Sequence, residues 1–433
     1  MLHILKIKDK ALVLFLTLLL TAVVSSCRDN SDEILSYSKW GTDGFGDADS
    51  SMEGQFNAFW TALNSNYPIW DYEESYGVDW DQVYDEHIEL FRKADEDFKK
   101  SGIILTDSLF FDAYTGIMLQ LHDGHTSLIV KNIHTGNKKR IFPAEIRACE
   151  KDSWEDDLNF HPNLSFYQYA AGENFRIKES LSTQKYQYAL FADGIVYLYL
   201  NECQLPKHFD QTSDSYSSSE SEGVRNVWRK WFDTIQELHG KNSLKGVIID
   251  VRSNTGGVAE NNKYIFGSLR NNEFKGVMAY KRGYTRRKNG IGRLDYQPAI
   301  PCIWDVLEEE HATITEPIVV LANILSGSAA EQICLDAKEL PNAIVLGTQT
   351  WGAYSPLNEA DNAVFGVGTV GDIKKMSFEI EIPSCAYLTD EGRIIEGIGV
   401  IPDMEILLDP ELKNNNRDSQ LEKALEYIRN KNY

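Results

Sequence analysis

Three short runs, apolar from end to end, constrain this chain more than anything else in it: LKGVIIDV (Leu244–Val251), PIVVLAN (Pro317–Asn323) and AIVLG (Ala343–Gly347). A strand with one wet face alternates apolar and polar residues. A strand apolar on both faces belongs to a sheet covered on both sides, which is the parallel kind. An amphipathic pattern, VRNVWRKWFDTIQELHG, precedes the first run, and a helical one, SAAEQICLDAKEL, separates the second from the third. GIVYLYL (Gly194–Leu200) reads as a further strand. This alternation implies right-handed crossovers and a mostly parallel α/β core flanked by helices. In such sheets ligands and chemistry collect just beyond the C-terminal strand ends.

The N-terminal part reads differently. From Met52 to about residue 127 apolar residues recur at helical spacing in FNAFWTALNSNYPIW, DWDQVYDEHIELFRKADEDF and DSLFFDAYTGIMLQLHDGH. The third helix is expected to be capped by Asp107 and to end near Gly124. Residues 128–190 alternate more and carry turn signals such as HTGN and AAGEN, which predicts a small β-rich region. The α/β domain then covers 191–410, and a last helix 411–433. The whole is α/β in class, α+β overall.

The first residues read as targeting. MLHILKIKDK is basic, ALVLFLTLLLTAVV is apolar but too short for a comfortable membrane span, and small residues stand before Cys27. Residues 1–26 resemble a bacterial lipoprotein signal, cleaved before a Cys27 that becomes lipidated; the plainer alternative is a secretory signal with an incidental cysteine. Acyl chains add about 0.8 kcal/mol per buried CH₂, so the protein is expected to reach a membrane through a lipid anchor. No Asp follows Cys27, which favours the outer membrane of the cell envelope, on its periplasmic or external side. Residues 27–51 are polar and acidic and read as a tether. The net charge of −22 and the lack of basic runs exclude a nucleic-acid partner. The other cysteines, Cys149, Cys203, Cys302, Cys334 and Cys385, are odd in number and widely spaced, which predicts mostly buried free thiols. His122 and His125 lack a nearby third ligand, so no metal or cofactor is expected.

Four segments carry chemistry. LHDGHTSL (Leu121–Leu128) places His125 between a glycine and a threonine, as a ring aimed rather than packed. DVRSNTGG (Asp250–Gly257) ends a strand in a Gly-Gly turn whose backbone N–H groups can face a ligand, although such pairs are usually only turns. ANILSGSAAEQ (Ala322–Gln332) puts Ser326 and Ser328 before a helix. Serine is a favoured N-cap, yet the same place suits a nucleophile, because free N–H groups and the helix dipole stabilise an oxyanion. It is not the G-x-S-x-G elbow. DEGRIIEGIGVIPD (Asp390–Asp403) reads as a strand carrying Glu396, for which the plain alternative is a solvated hairpin acid.

Taken together, DGHT, IIDVRSNTGG, ILSGSAAE, GTQTWG and EGIGVIPD resemble, in order, the S41 family of serine peptidases, which includes the C-terminal processing and tricorn-like peptidases. The resemblance runs from about residue 55 to 410 and implies a ClpP/crotonase-like catalytic domain. One catalytic design of the family pairs a serine with a lysine directly after the GTQTWG turn. Here Ala353 stands there, and the next lysines are Lys374 and Lys375. The tricorn-like design therefore fits better. It implies Ser328 as nucleophile, Glu331 supporting it, His125 as general base and Glu396 as the acid behind the pair. It implies an oxyanion hole from the N–H groups of Ala329 and of Gly256 or Gly257. The tricorn-like serine before the histidine is missing here, replaced by Gly124; Thr126 is a candidate substitute and Asp123 a rival orienting acid. His122 reads as structural. No PDZ-like segment is evident. The expectation is an envelope serine peptidase acting on unfolded proteins, C-termini or oligopeptides. Its rivals are an inactive ligand- or peptide-binding protein on the same scaffold and another hydrolase such as an esterase. Oligomeric state is not legible.

Overall fold

The computed structural model describes residues 51–431, apart from 152–153, 159, 271–276, 283, 286–294, 297, 304–306, 308, 358–368 and 371–376. The expected signal, Cys27, almost all of the tether, and Lys374 and Lys375 lie outside the described residues.

The chain opens with four helices: α1 (Met52–Asn66), α2 (Trp70–Ser75), α3 (Trp80–Ser101) and α4 (Asp107–Met118). Each longer helix has a local reason to start. Ser51 accepts from Gly54 N, Asp79 from Asp81 N and Gln82 N, and Thr106 from Leu109 N. Asp107 is therefore not the cap of α4. It lies in the first turn, and its carboxylate instead takes the side chains of Asn132, Thr135 and Asn137. Helix α4 also stops at Met118, well short of Gly124, so the His122–His125 stretch is loop. The chain continues into β1 (Ser127–Lys131) and β2 (Lys138–Ile141), then α5 (Pro143–Cys149) and α6 (Trp154–Leu158). The region expected to be β-rich thus contains helices, including Leu164–Tyr169, because Pro143 and Asn163 start them.

The core is a seven-stranded sheet. Its strands are β3 (Ile177–Ser182), β4 (Tyr186–Phe191), β5 (Ile195–Leu200), β6 (Gly246–Asp250), β7 (Ile318–Ala322), β8 (Ala343–Gly347) and, after β9 (Phe378–Glu381) of another sheet, β10 (Met404–Glu405). Across the sheet the order is β10-β8-β7-β6-β5-β4-β3. The pairs from β5 to β10 are parallel; β3–β4 and β4–β5 are antiparallel.

Both faces are covered, as the apolar runs require. Val247, Ile249 and Val320 pack on one side with Trp228, Trp231 and Ile235 of α7 (Ser219–Gly240) and Ile333 of α8 (Ala329–Lys338). Ile248, Val319 and Leu321 pack on the other with Leu421, Leu425 and Ile428 of α9 (Ser419–Lys431). Burying each such side chain stabilises the fold by about 1.5–3 kcal/mol. Cys203, Cys334 and Cys385 are buried, Cys302 is half-buried and Cys149 exposed, and none of the five is in a disulfide.

Strand β1 pairs antiparallel with β9, Ser127 opposite Glu381, across 254 residues of chain. Phe378, Ile380 and Ile382 consequently share a core with Phe56, Phe59 and Tyr114 of the helical region. This pairing anchors the His125 loop beside the end of the central sheet.

Candidate functional site

The turn between β7 and α8 separates its two serines by environment. Ser326 is fully buried; its Oγ donates to Val251 O at 2.8 Å and accepts from Asn323 N at 3.0 Å. It joins the ends of β6 and β7. Ser328 is the part-exposed residue in a run that is otherwise buried from Leu321 to Ala330. Its backbone lies at φ 54°, ψ −121°, a conformation that costs a non-glycine residue about 1–3 kcal/mol. Such strain persists only where surrounding structure enforces it. That enforcement comes largely from Glu331, which is fully buried. Its Oε2 accepts from Ser328 N at 3.1 Å and Ala353 N at 2.7 Å, and its Oε1 from Gly352 N at 2.8 Å and Thr350 Oγ1 at 2.6 Å. Burial pushes the Glu331 carboxyl above its usual range, and these donors pull it back. Glu331 thus fastens the start of α8 to the turn after β8.

The two glycines beyond β6 differ in what their N–H groups do. Gly256 N–H donates to Asn254 Oδ1 at 2.8 Å inside its own turn, so it is not the free donor expected of it. Its contribution is closeness: a β-carbon there would stand 2.6 Å from Ser328 Cβ. Gly257 pairs with Cys203 in a parallel bridge, made by Cys203 N to Gly256 O and Val258 N to Cys203 O. In a parallel ladder those two bonds use the peptide groups flanking Gly257, which turns its own N–H to the opposite side. Ala329 is the first helical residue of α8, where N–H groups have no partner within the helix. Gly257 and Ala329 are the donors that the geometry supports.

The His125 loop is held from several sides. Asp123 Oδ1 accepts from His125 N at 2.9 Å and Thr126 N at 2.6 Å. Tyr67 Oη sits 2.7 Å from both Asp123 Oδ2 and Glu73 Oε1. Glu73 also accepts from His122 N at 2.9 Å and meets His122 Nδ1 at 2.8 Å, and the His122 ring stacks on Tyr76. His122 is thereby held against the helical region. Arg147 donates to the carbonyls of Leu121, His122 and Asp123 at 2.8, 3.0 and 3.3 Å. The His125 ring is half-buried, and its Nδ1 is enclosed without a hydrogen-bond partner. Burial lowers its pKa, while Asp123, the nearby Ser355 carbonyl and Glu381 oppose that shift. The imidazole is therefore biased toward the neutral, proton-accepting form. The Thr126 hydroxyl is buried and also has no partner, so it does not substitute for a serine that would orient the ring.

Glu396 is not on a strand. It lies in a turn closed by Ile398 N and Gly399 N on Ile395 O, with Gly397 at φ 65° and Gly399 at φ 81°. Those left-handed glycines break the extended run that the apolar letters suggested. Its carboxyl is fully buried and works through backbone. Oε1 accepts from Tyr354 N at 2.9 Å and from Ser355 N, and Oε2 from Gly124 N at 3.2 Å. It thereby fixes the residue before His125 and the residue whose carbonyl lies by the His125 ring. Burial first, then the Asp123 charge, raise its pKa to about 8.

Residues that the sequence reading did not single out complete the arrangement: Tyr67, Glu73, Arg147 and Trp351. The Trp351 N–H donates to Ser326 O at 3.0 Å and its Nε1 to Gly124 O at 3.1 Å, bridging the serine turn and the histidine loop. Trp351 stands in the GTQTWG motif and was visible there. Glu73 and Arg147 lie 49 and 25 residues from His122, and no local pattern marks them.

A strained serine at a helix start, beyond the C-terminal ends of a parallel sheet and tied through Trp351 to the loop of a half-buried histidine, is an arrangement that nucleophilic hydrolysis can use. Residues 213–406 match the model of peptidase family S41. The match covers less than half of the chain, and similarity to that family is what the segment shows. It is 27% identical over 172 residues to a carboxy-terminal-processing protease of Bartonella bacilliformis, covering 40% of this chain and 33% of that one. It is 27% identical over 184 residues to a tricorn-like protease C-terminal subunit of Sulfurisphaera tokodaii, covering 42% and 17%. The chain therefore spans a third or less of these curated relatives. Among solved structures, a protein assigned as a peptidase from Parabacteroides merdae shares the fold, with a TM-score of 0.58 and 19% identity over 87% of this chain and 96% of that one.

Proposed function

We propose that this protein is a serine peptidase of the lysine-free design. The observation that carries the proposal is Ser328: a part-exposed serine held at φ 54°, ψ −121° at the start of α8. Neutral His125 takes the Oγ proton as Oγ attacks the substrate carbonyl carbon. The new C–O bond leaves an oxyanion facing Gly257 and Ala329 N–H; removing one such donor typically costs about 10²–10³ in kcat. The C–N bond then breaks, and the leaving amine takes the proton from the imidazolium. Water, deprotonated by the same ring, attacks the ester carbon; the C–Oγ bond breaks, Ser328 Oγ takes the proton back from the imidazolium, and the acid product leaves. Glu396 and Asp123 position the histidine loop through its backbone.

The substrates proposed are unfolded proteins, protein C-termini or oligopeptides of the cell envelope. The proposed location is the outer membrane, through a lipid on Cys27, and it rests on residues 1–27 alone. One feature favours a non-cleaving, peptide-binding protein instead: the acceptor beside the His125 ring is the Ser355 backbone carbonyl and not the carboxylate that a triad supplies. Turnover of matched peptide and ester substrates, with Ser328→Ala beside the wild type, tests the reading. Peptide cleavage lost in the variant supports it. Ester cleavage alone points to an esterase, and no turnover of either to a binding protein.

A further inference from the structure

Three half-exposed aromatic rings stand together beside the nucleophile turn. The Trp351 ring centroid lies 6.0 Å from that of Phe142 and 6.2 Å from that of Trp154. They come from three separate elements: the turn after β8, the residue that precedes α5, and the start of α6. Trp351 is also tied by hydrogen bonds to Ser326 O and Gly124 O, so the cluster is continuous with the loops that carry Ser328 and His125. Trp351 packs directly against the nucleophile turn. A β-carbon on Gly327 would meet Trp351 Cβ at 3.4 Å and Cγ at 3.6 Å, which is ordinary contact and no clash. On Phe142 the Arg140 guanidinium lies 5.0 Å from the ring centroid, a cation–π contact.

We infer that Trp351, Phe142 and Trp154 form the subsite for the substrate side chain at the cleaved bond, and that it takes a large apolar or aromatic side chain. Half-exposed aromatic surface is poorly used by water and gains by covering a ring of similar shape. Cationic side chains would lose hydration against it and meet the Arg140 charge. Cleavage here rests on the peptidase reading, but the subsite is a claim about binding and is testable without turnover.

The test uses two peptides identical except for Phe or Ala as the C-terminal residue, the product side of such a cut. Their affinities for the full-length protein are measured by calorimetry. The same pair, extended past that residue, is assayed for kcat/KM. Preference for Phe of roughly tenfold or more is expected in both. Phe142→Ala and Trp154→Ala are expected to shrink the ratio toward one, and Phe142→Leu and Trp154→Leu, which keep apolar volume, to shrink it less. Fluorophosphonate labelling of each variant reports whether the nucleophile turn survives. Equal binding of the two peptides, or a ratio unmoved in variants that still label, overturns the subsite. Preferential binding of the Phe peptide with no cleavage of either substrate would overturn the peptidase reading and leave the subsite standing.

Discussion

Gly124 and Ala353 touch backbone to backbone. A β-carbon on Gly124 would stand 2.5 Å from Ala353 Cβ and 2.2 Å from Gly352 O. In the peptidase family that the motifs resemble, one design puts lysine at the position of Ala353 and another puts serine at the position of Gly124. This chain does neither, and the contact explains why the small residues go together. Gly124→Ala is expected to destabilise by about 1–3 kcal/mol, the usual range for overpacking. Because the shift falls on the residue before His125, nucleophile labelling should slow at least tenfold. Urea midpoints and labelling rates check both; a variant that labels at the wild-type rate would mean the loop has slack here.

Ser328 trades stability for its conformation. Ser328→Gly should abolish activity and raise stability by about 1 kcal/mol, since glycine adopts this φ and ψ without the Cβ penalty. Ser326→Ala should do the reverse. It removes two hydrogen bonds between buried strand ends, costing about 1–3 kcal/mol, while labelling continues. Thermal melts of both variants test this. A loss of stability in Ser328→Gly would show that the backbone is not strained.

Glu396 titrates where few carboxyls do. Its folded pKa of about 8 lies above the unfolded value near 4.3. The folded state therefore holds an extra proton between those values. The stability this gives is complete below about pH 4 and is lost as pH rises through about 8. Glu396→Gln mimics the protonated acid and should flatten that slope between pH 6 and 9. Equal slopes in wild type and variant would place the titration elsewhere.

His125 should give the acid limb of the activity profile. Its lowered pKa puts the half-point of kcat/KM below the ordinary histidine value of about 6.5. Glu331→Ala, by contrast, should remove activity through structure. It strips four donors of their buried acceptor, and Glu331→Gln should restore part of the stability but little of the rate.

The central sheet was legible because burial on both faces forces continuous apolar runs, and Ala343–Gly347 appears with the bounds that its letters suggest. Ser328 and His125 stood out as chemistry at strand and loop ends. Their supports did not. Ser326 and Ser328 are two letters apart, and only the bonds to Val251 and Asn323 tell structure from exposure. Gly256 and Gly257 look alike in sequence, yet one N–H is used by Asn254 and the other faces away from Cys203. Glu396 read as a strand residue because positive φ at Gly397 and Gly399 is invisible in an apolar run. Thr106 and Asp107 are both good caps, and the winner was decided by Asn132 and Thr135, distant residues that claim the aspartate.

The most direct test of the account is the intact mass of the full-length protein after a small fluorophosphonate, with Ser328→Ala and His125→Ala treated alongside. The account predicts one adduct on the wild type, absent from Ser328→Ala and strongly reduced or absent in His125→Ala. An adduct that persists in Ser328→Ala, or a wild-type protein that takes none, would contradict it.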